Sequence, residues 1–487
     1  MRTCIAIALL LGGIAAQQPM NQYTSNTYWL GGAADPRVLM LGPGGRIFTG
    51  CGDGSVRILE DNDNNGVVDN VINFVFGAWS CHGLAWKPNG ATGYDLYVSH
   101  LTAPSGGTGT ITCFTDLNGD DIFDVVTTVV LTLPSGAHQV NNIKLDATGQ
   151  WLYIAQGATA NTSAGGGAMV ARVASNAVNV LWGSPQVIVV GTGLRNPWGI
   201  EFHPSGELFA TDNGRDDLGA TDPPDEFNRV VMGQDYGFPT VSGMPPVGNP
   251  TTAPIGLFES HASANGFAFD NGSMLTGFVN QVFVAEWGNW NGITPTPVGQ
   301  KIVQGNLHQR TNGSWVLNSW DFLANCGHPL DVEIGALGEL FFTVQWGVPN
   351  WPEGVYRVVP THGISVKLSG VPELGNIINV TVRCPGLPGH LSKVAASAGT
   401  GPLPTALGGL GLSWDWIFDI SLTPNPYLSF APAGLLNAQG LSSGPDHVYI
   451  PVLPVLSGFT LYIAAATFDP FTLVPSAVSP TARILIL

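Results

Sequence analysis

One two-strand pattern recurs six times in the first three-quarters of this chain, and it leaves few folds open. VLMLGPGGRIFTG begins at residue 38, GLAWKPNGATGYDLYVS at 83, NIKLDATGQWLYIA at 142, GIEFHPSGELFATD at 199, GFAFDNGSMLTGFVNQVFVAE at 266 and DVEIGALGELFFTV at 331. Each is an alternating strand, a Gly-containing turn and a second strand. The starts lie 45, 59, 57, 67 and 65 residues apart, which leaves room for two more strands per unit. Four-stranded units at a recurring spacing, without helices, predict a β-propeller, and six copies predict six blades. A single β-sandwich does not explain six like-spaced copies. The segment NTYWLGGAADPR, residues 26–37, is placed to give a closing strand to the last blade.

After RVVP at 357–360 the character changes. Residues 361–487 carry few charges and many Leu, Pro and Gly, and strand-like runs such as IINVTVR, HVYIPVL and FTLYIAAATF alternate with turns. This reads as a separate β-sandwich with a role in attachment or stabilisation. The chain is thus expected to be all-β, with a six-bladed propeller over 26–360 followed by a C-terminal β-sandwich over 361–487. With 64 Gly and 36 Pro in 487 residues the alternative is disorder, but strand periodicity persists throughout.

The N-terminus, MRTCIAIALLLGGIAAQQP, has a positive start, an apolar centre too short to span a bilayer, and small residues at 15 and 16. Residues 1–16 are therefore expected to be a signal peptide, with the protein secreted, periplasmic or at the cell surface. No membrane insertion is expected from the rest. A net charge of −17 with only five lysines argues against nucleic acid and against anionic membrane surfaces. Past the leader stand Cys51, Cys81, Cys113, Cys326 and Cys384, an odd number without C-x-x-C, so zinc is not expected. Export permits disulfides, and Cys51 with Cys81, at the same end of adjacent blades, is the favoured pair.

Propeller geometry places the chemistry. Residues just before each inner strand and just after the second share one face. That face collects Cys51, Cys81, His82, His138, Gln139, Arg195, Asn196, Asn213, Gly214, Glu286, Trp287, Cys326, His328 and Trp346 around the channel. His138 and Arg195 sit one blade apart. A neutral imidazole can take a proton from an alcohol as a hydride leaves, and a guanidinium can polarise the acceptor oxygen. The loop 212–226, dense in carboxylates, suits a metal. On the opposite face DNDNNGVVD sets Asp61, Asp63, Asn65 and Asp69 at calcium-loop spacing, with Gly66 at the turn. DLNGDDIFD repeats this less closely with Asp116, Asn118, Asp120 and Asp124, and has Asp121 at the glycine position. A plain Asn/Asp/Gly turn is the alternative for both. GLSSG at 440–444 satisfies G-x-S-x-G only formally, since its surroundings lack the strand–turn–helix of a nucleophile elbow. No strand–GxGxxG–helix unit for a nicotinamide cofactor occurs.

Residues 38–360 resemble the glucose/sorbosone dehydrogenase family. The resemblance is carried by HQ at 138–139, GLRNPWGIEFHPSGELFATDNG at 193–214, PPDEFNRVVMGQDYGFP at 223–239 and VAEWGNWN at 284–291. It implies a six-bladed propeller that uses pyrroloquinoline quinone and calcium to oxidise the C1 hydroxyl of an aldose, passing electrons to an external acceptor. It implies His138 as the base and Arg195 at the quinone oxygen. Cofactor contacts would come from Gln139, Arg195, Asn196 and His328, and a calcium would be held by the backbone carbonyls of Gly214 and Arg215 beside Asp225 and Glu226. The chain departs from the family's sugar oxidases at Ala137, where they carry an acid. It departs again in AEWGNW and NCGHPLD, where they carry cations and this chain has His328. These departures keep open a non-catalytic propeller that binds carbohydrate or protein, and a calcium-dependent lactonase-like hydrolase.

Overall fold

The computed structural model describes residues 22–487 apart from 76–78, 104–106, 271, 273, 290–293, 295–296, 406, 424, 431–433 and 443–445. The expected leader, the last two residues of GLSSG and the last two of VAEWGNWN lie outside the described residues. Strands dominate. Six sheets follow one another along the chain, each begun by an inner strand: Pro36–Leu41, Trp79–Asn89, Val140–Leu145, Pro197–Phe202, Ala264–Phe269 and Pro329–Ile334. Each inner strand packs against the next, and the sixth packs back on the first. The Leu39 N–H donates to Asp331 Oδ2 (2.8 Å) across that seam. The chain is a six-bladed β-propeller followed by a β-sandwich.

Alternation explains the assembly. One face of each blade meets the preceding blade and the other the following one, so every gap between blades is filled by apolar side chains of two blades. Val38, Phe48, Leu84 and Tyr94 lie between blades one and two, and Phe209, Phe227, Phe267 and Val284 between four and five. Tyr28, Leu39, Ile47, Phe341 and Val355 fill the gap between six and one. Full burial of each Phe contributes about 1.5–3 kcal/mol. Tyr23–Leu30 is the outermost strand of blade six, antiparallel to Gly354–Pro360, with Tyr23 facing Pro360. The inner strands come very close at their glycines. A Cβ on Gly83 would stand 2.7 Å from Ile143 N, and one on Gly199 would stand 2.6 Å from Asn265 O.

Each inner strand also slips register near its start. Opposite two residue steps in the second strand lie three in Val140 to Ile143, Pro197 to Ile200, Ala264 to Phe267 and Pro329 to Val332. In Trp79 to Gly83 there are four. Such bulges turn side chains out of the ladder, here toward the channel mouth.

The sandwich packs two sheets on a shared core that includes Val366, Val380, Val394, Ile463 and Ile484. One sheet takes an edge strand from the propeller, because Gly277–Phe278, inside blade five, pairs in parallel with Ser365–Ser369. Beneath this junction Lys367 Nζ meets the fully buried Asp270 Oδ2 (2.6 Å).

The expected Cys51–Cys81 disulfide is not present. All five described cysteines are free and buried. The two thiols lie near each other but point to different carbonyls, Cys51 Sγ to Thr49 O (3.9 Å) and Cys81 Sγ to Ser55 O (3.7 Å). Burial pushes the Cys51 thiol up to about 12, so it stays protonated.

Candidate functional site

The bulged starts of the inner strands gather polar side chains at one mouth of the channel. His138, just before the third inner strand, is set by Ala158, whose carbonyl accepts from the His138 backbone N–H (3.1 Å) and lies 2.9 Å from its ring Nδ1. A carbonyl only accepts, so the proton sits on Nδ1 and Nε2 carries the lone pair. Burial, and then the charge of Arg195, push the imidazole down to about 4. His138 is therefore a neutral base at ordinary pH, aimed by the backbone.

Arg195 is almost fully buried. Its Nη1 donates to Asn213 O (3.2 Å), and its Nη2 reaches Asn161 Oδ1 (2.7 Å) and pairs with Asp216. Its Nε is buried without a partner. An orphaned guanidinium N–H beside a neutral imidazole fits an oxygen of a bound group. Asn196 lies in a row of amides that crosses three blades. Asn141 Nδ2 donates to Asn196 Oδ1 (2.8 Å), Asn196 Nδ2 to Asn213 Oδ1 (2.9 Å), and Asn213 Nδ2 to Ala264 O (2.7 Å).

Behind Arg195 lies the acidic loop. The backbone N–H groups of Arg195 and Asn196 donate to Asp212 (2.9 and 2.6 Å). Asp212 faces Glu226 across adjacent strands. Burial, then Glu226, raise the Asp212 carboxyl well above its ordinary range, and burial pushes Glu226 up to about 7. A small cavity there is lined by Arg195, Asp212, Asn213, Gly214, Arg215 and Glu226. Tyr236, Phe238 and Val241 also line it, and both oxygens of Asp212 and of Glu226 accept hydrogen bonds. The facing carboxyls, both raised by burial, are the feature that a hard cation would relieve. Asp225 lies alongside, with its two oxygens accepting from Gly214 N–H and Ala264 N–H (both 2.9 Å), so it braces the loop. Arg215 pairs with Asp217 (2.6 Å).

Blades four, five and six supply an aromatic wall. Trp198, Trp287 and Leu330 form a buried cluster. His328 lies tilted against Trp287 with ring centres 4.3 Å apart, and its Nδ1 is 3.0 Å from Trp287 O. Trp346, 55% exposed, meets Trp287 edge-on. The wall has no cation aimed at the mouth among the described residues. On the other side Gln139 Nε2 is 3.3 Å from His82 Nδ1, and Arg37 joins them from blade one. Deeper in the channel Lys144 pairs with Glu201 (2.6 Å) and feels the charges of Glu333 and Asp331.

On the far face Asp61, Asp63 and Asp69 bring one ligand oxygen each within 4.8 Å of one another. Asn65 Nδ2 caps Asp63 (2.9 Å). In the second loop Asp116 accepts from Asn118 N–H and Gly119 N–H (3.0 and 2.6 Å), Asp120 from Ile122 N–H (2.9 Å), and Asp124 from Leu117 N–H (2.8 Å). Asp121, at the glycine position, instead pairs with Arg46 (2.7 Å). Three-carboxylate clustering is confined to the first loop among the described residues. Ser442 of GLSSG accepts from Val382 N–H (3.0 Å).

Sequence reasoning missed Arg37, Ser80, Asn141, Asn161 and the pairing of Asp216 with Arg195. One signal was available. The residue immediately before each repeat is Arg37, His82, Asn141, Trp198, Asn265 or Leu330. Polar types at four of these positions mark a lined mouth.

A family model for glucose/sorbosone dehydrogenase matches residues 34–289, just over half of the chain. The chain belongs to that family. The match runs from the first inner strand into blade five and leaves blade six and the sandwich outside. An uncharacterised protein of Borreliella burgdorferi is 31% identical over 189 residues, 35% of this chain and 48% of that protein. The chain thus spans about half the length of that relative. Among solved structures, the holo pyranose dehydrogenase PQQ domain of Coprinopsis cinerea covers 70% of this chain and 96% of its own, with TM-score 0.57 and 15% identity. The PQQ-bound aldose sugar dehydrogenase of Streptomyces coelicolor covers 70% and 99%, with TM-score 0.52 and 16% identity. A putative glucose dehydrogenase of Thermus thermophilus covers 69% and 100%, with TM-score 0.51 and 21% identity. At these identities the structures show a shared fold.

Proposed function

We propose that this member of the glucose/sorbosone dehydrogenase family is an exported oxidoreductase that oxidises the C1 hydroxyl of an aldose with pyrroloquinoline quinone, assisted by calcium. The observation that carries the reading is the pair of His138 and Arg195, a neutral base with Nε2 free of its anchor beside a buried guanidinium with an orphaned N–H. When bound, the quinone supplies a two-electron acceptor for hydride, later reoxidised by an external acceptor. His138 Nε2 takes the hydroxyl proton. Arg195 Nε and Asn196 hold oxygens of the bound group, with Gln139 and His328 at its sides. Trp287 and Trp346 offer ring faces to a sugar or a flat cofactor. The cavity by Gly214, Arg215 and Glu226 would hold calcium, with Asp225 bracing the loop, and a second calcium would rest structurally on the Asp61 loop. The test is dye reduction by purified protein given pyrroloquinoline quinone, calcium and a panel of aldoses. Turnover that vanishes in His138→Ala while calcium content is kept supports the reading; no cofactor spectrum and no turnover reject it.

One observation favours a second reading. The mouth guanidiniums are already paired, Arg37 with Asp35, Arg195 with Asp216 and Arg215 with Asp217, which leaves little to meet a tricarboxylate. A propeller that binds glycans without redox change accounts for that, and glycan binding with no cofactor uptake distinguishes it.

A further inference from the structure

The longest of the register slips lies in blade two, and the residues it turns out of the ladder are Ser80 to His82. Ser80 has φ 57°, a left-handed backbone that costs a serine energy and is kept where surrounding structure enforces it. Its Oγ lies 3.0 Å from His82 Nε2. Arg37 Nη1 touches both, at 3.1 Å from Nε2 and close against Oγ. Asp35 takes the other two guanidinium nitrogens, Nε (2.7 Å) and Nη2, and fixes Nη1 in this direction.

The permanent cation beside Nε2 is the basis for assigning the tautomer. A guanidinium nitrogen only donates, so His82 Nε2 faces Arg37 with its lone pair and the ring proton sits on Nδ1. The atom placed beside Nδ1 is Gln139 Nε2; with its amide nitrogen and oxygen exchanged, an assignment set by hydrogen bonding, Gln139 accepts from Nδ1. Burial, and then Arg37, hold this imidazole far below its ordinary pKa, so it stays neutral. Once Arg37 Nη1 leaves Nε2 for a bound carbonyl oxygen, the lone pair of Nε2 is open to Ser80 Oγ 3.0 Å away. A serine hydroxyl, an imidazole base and an amide behind the ring then form the arrangement that activates an oxygen nucleophile.

We propose that Ser80 is a nucleophile toward oxygen esters, sugar lactones included, with His82 as general base, Gln139 as its positioning residue and Arg37 Nη1 on the developing oxyanion. Ser80 Oγ bonds to the carbonyl carbon as its proton passes to His82 Nε2. The bond from that carbon to the ester oxygen breaks, and the leaving alcohol takes the proton from His82. Water then attacks the acyl-serine by the same route, releases the acid and restores Ser80. No oxidant, metal or quinone takes part, so this activity stands apart from the dehydrogenase reading. A sugar lactone is also what C1 oxidation of a cyclic aldose yields, so the two chemistries would be consecutive if both hold.

The test uses the full chain with EDTA and without quinone. A fluorophosphonate probe is applied and the modified peptide mapped by mass spectrometry, while hydrolysis of p-nitrophenyl acetate and of glucono-1,5-lactone is followed. The expected result is label on Ser80, with both hydrolyses lowered at least about 100-fold in Ser80→Ala and in His82→Gln. Absence of label on Ser80 in the unaltered protein overturns the proposal, and this arm does not depend on any variant folding. Hydrolysis that survives in a folded Ser80→Ala also overturns it, and if calcium restores that hydrolysis after EDTA, it belongs to a metal-activated water. Failure of the quinone-dependent assay alone touches only the dehydrogenase reading.

Discussion

Acidification should unload stability through His138 in a window that the structure defines. The folded imidazole is held at about 4, against an ordinary 6.5, by burial and by Arg195. Between these values the unfolded chain is protonated at this position and the folded one is not. Stability is therefore intact above 6.5, falls as pH drops through the window, and levels off below about 4. Each unit of difference is worth about 1.4 kcal/mol, so the full loss assigned to this one side chain is about 3 kcal/mol. The assay is urea denaturation of the wild type and of His138→Gln at several pH values from 7 to 4. His308 is pushed down to about 4 as well and burial also lowers His82, so the wild type alone reports a sum. The difference between the two proteins isolates His138, and it should move by about 3 kcal/mol toward the variant at low pH. Nitrogen-15 spectra of the imidazoles give a second reading, with the His138 proton on Nδ1 and a midpoint near 4 that rises in Arg195→Met. A midpoint near 6.5, or a proton on Nε2, would refute both the base assignment and its cause.

Lys367→Met should leave the buried Asp270 carboxylate without its cation and cost about 3–5 kcal/mol, read as a lower urea midpoint, while adding Asp270→Asn should recover part of it. Asn141→Leu removes the donor to Asn196 Oδ1 and Pro197 O and should cost about 1–3 kcal/mol, visible as a fall in Tm. Calcium should raise Tm and EDTA lower it, and part of that gain should disappear in Asp61→Asn with Asp63→Asn, while Asp120→Asn has a smaller effect. Thiol reagent should find none of the five described cysteines in the native protein and all five after denaturation, where a disulfide would withhold two.

The six hairpins were legible because alternation and Gly turns are local signals. The mouth was legible because a propeller returns every second strand to the same side. What remained hidden depended on partners distant in sequence. A register slip exists only relative to the neighbouring strand, so His82 could be placed at the mouth from its position before the repeat, while the projection of Ser80 beside it could not. Arg195 was visible, but Asn161 and Asp216 reach it from other loops. Gly277–Phe278 reads as part of a Gly-rich turn and becomes a strand only because the sandwich offers it an edge. The favoured disulfide failed because sequence position brings two cysteines near without saying where their sulfurs point. Asp225 was placed at the metal by the family resemblance, and nothing in the sequence signalled that its two oxygens also hold the N–H groups of Gly214 and Ala264.

The strand Tyr23–Leu30 is synthesised early, and its partner Gly354–Pro360 arrives more than three hundred residues later. Until then both edges stand open, and the disc cannot lock while the chain is still being made. Any growing chain must therefore keep its beginning unpaired and within reach of its sixth blade. Closure of the disc is thus the last step of its assembly.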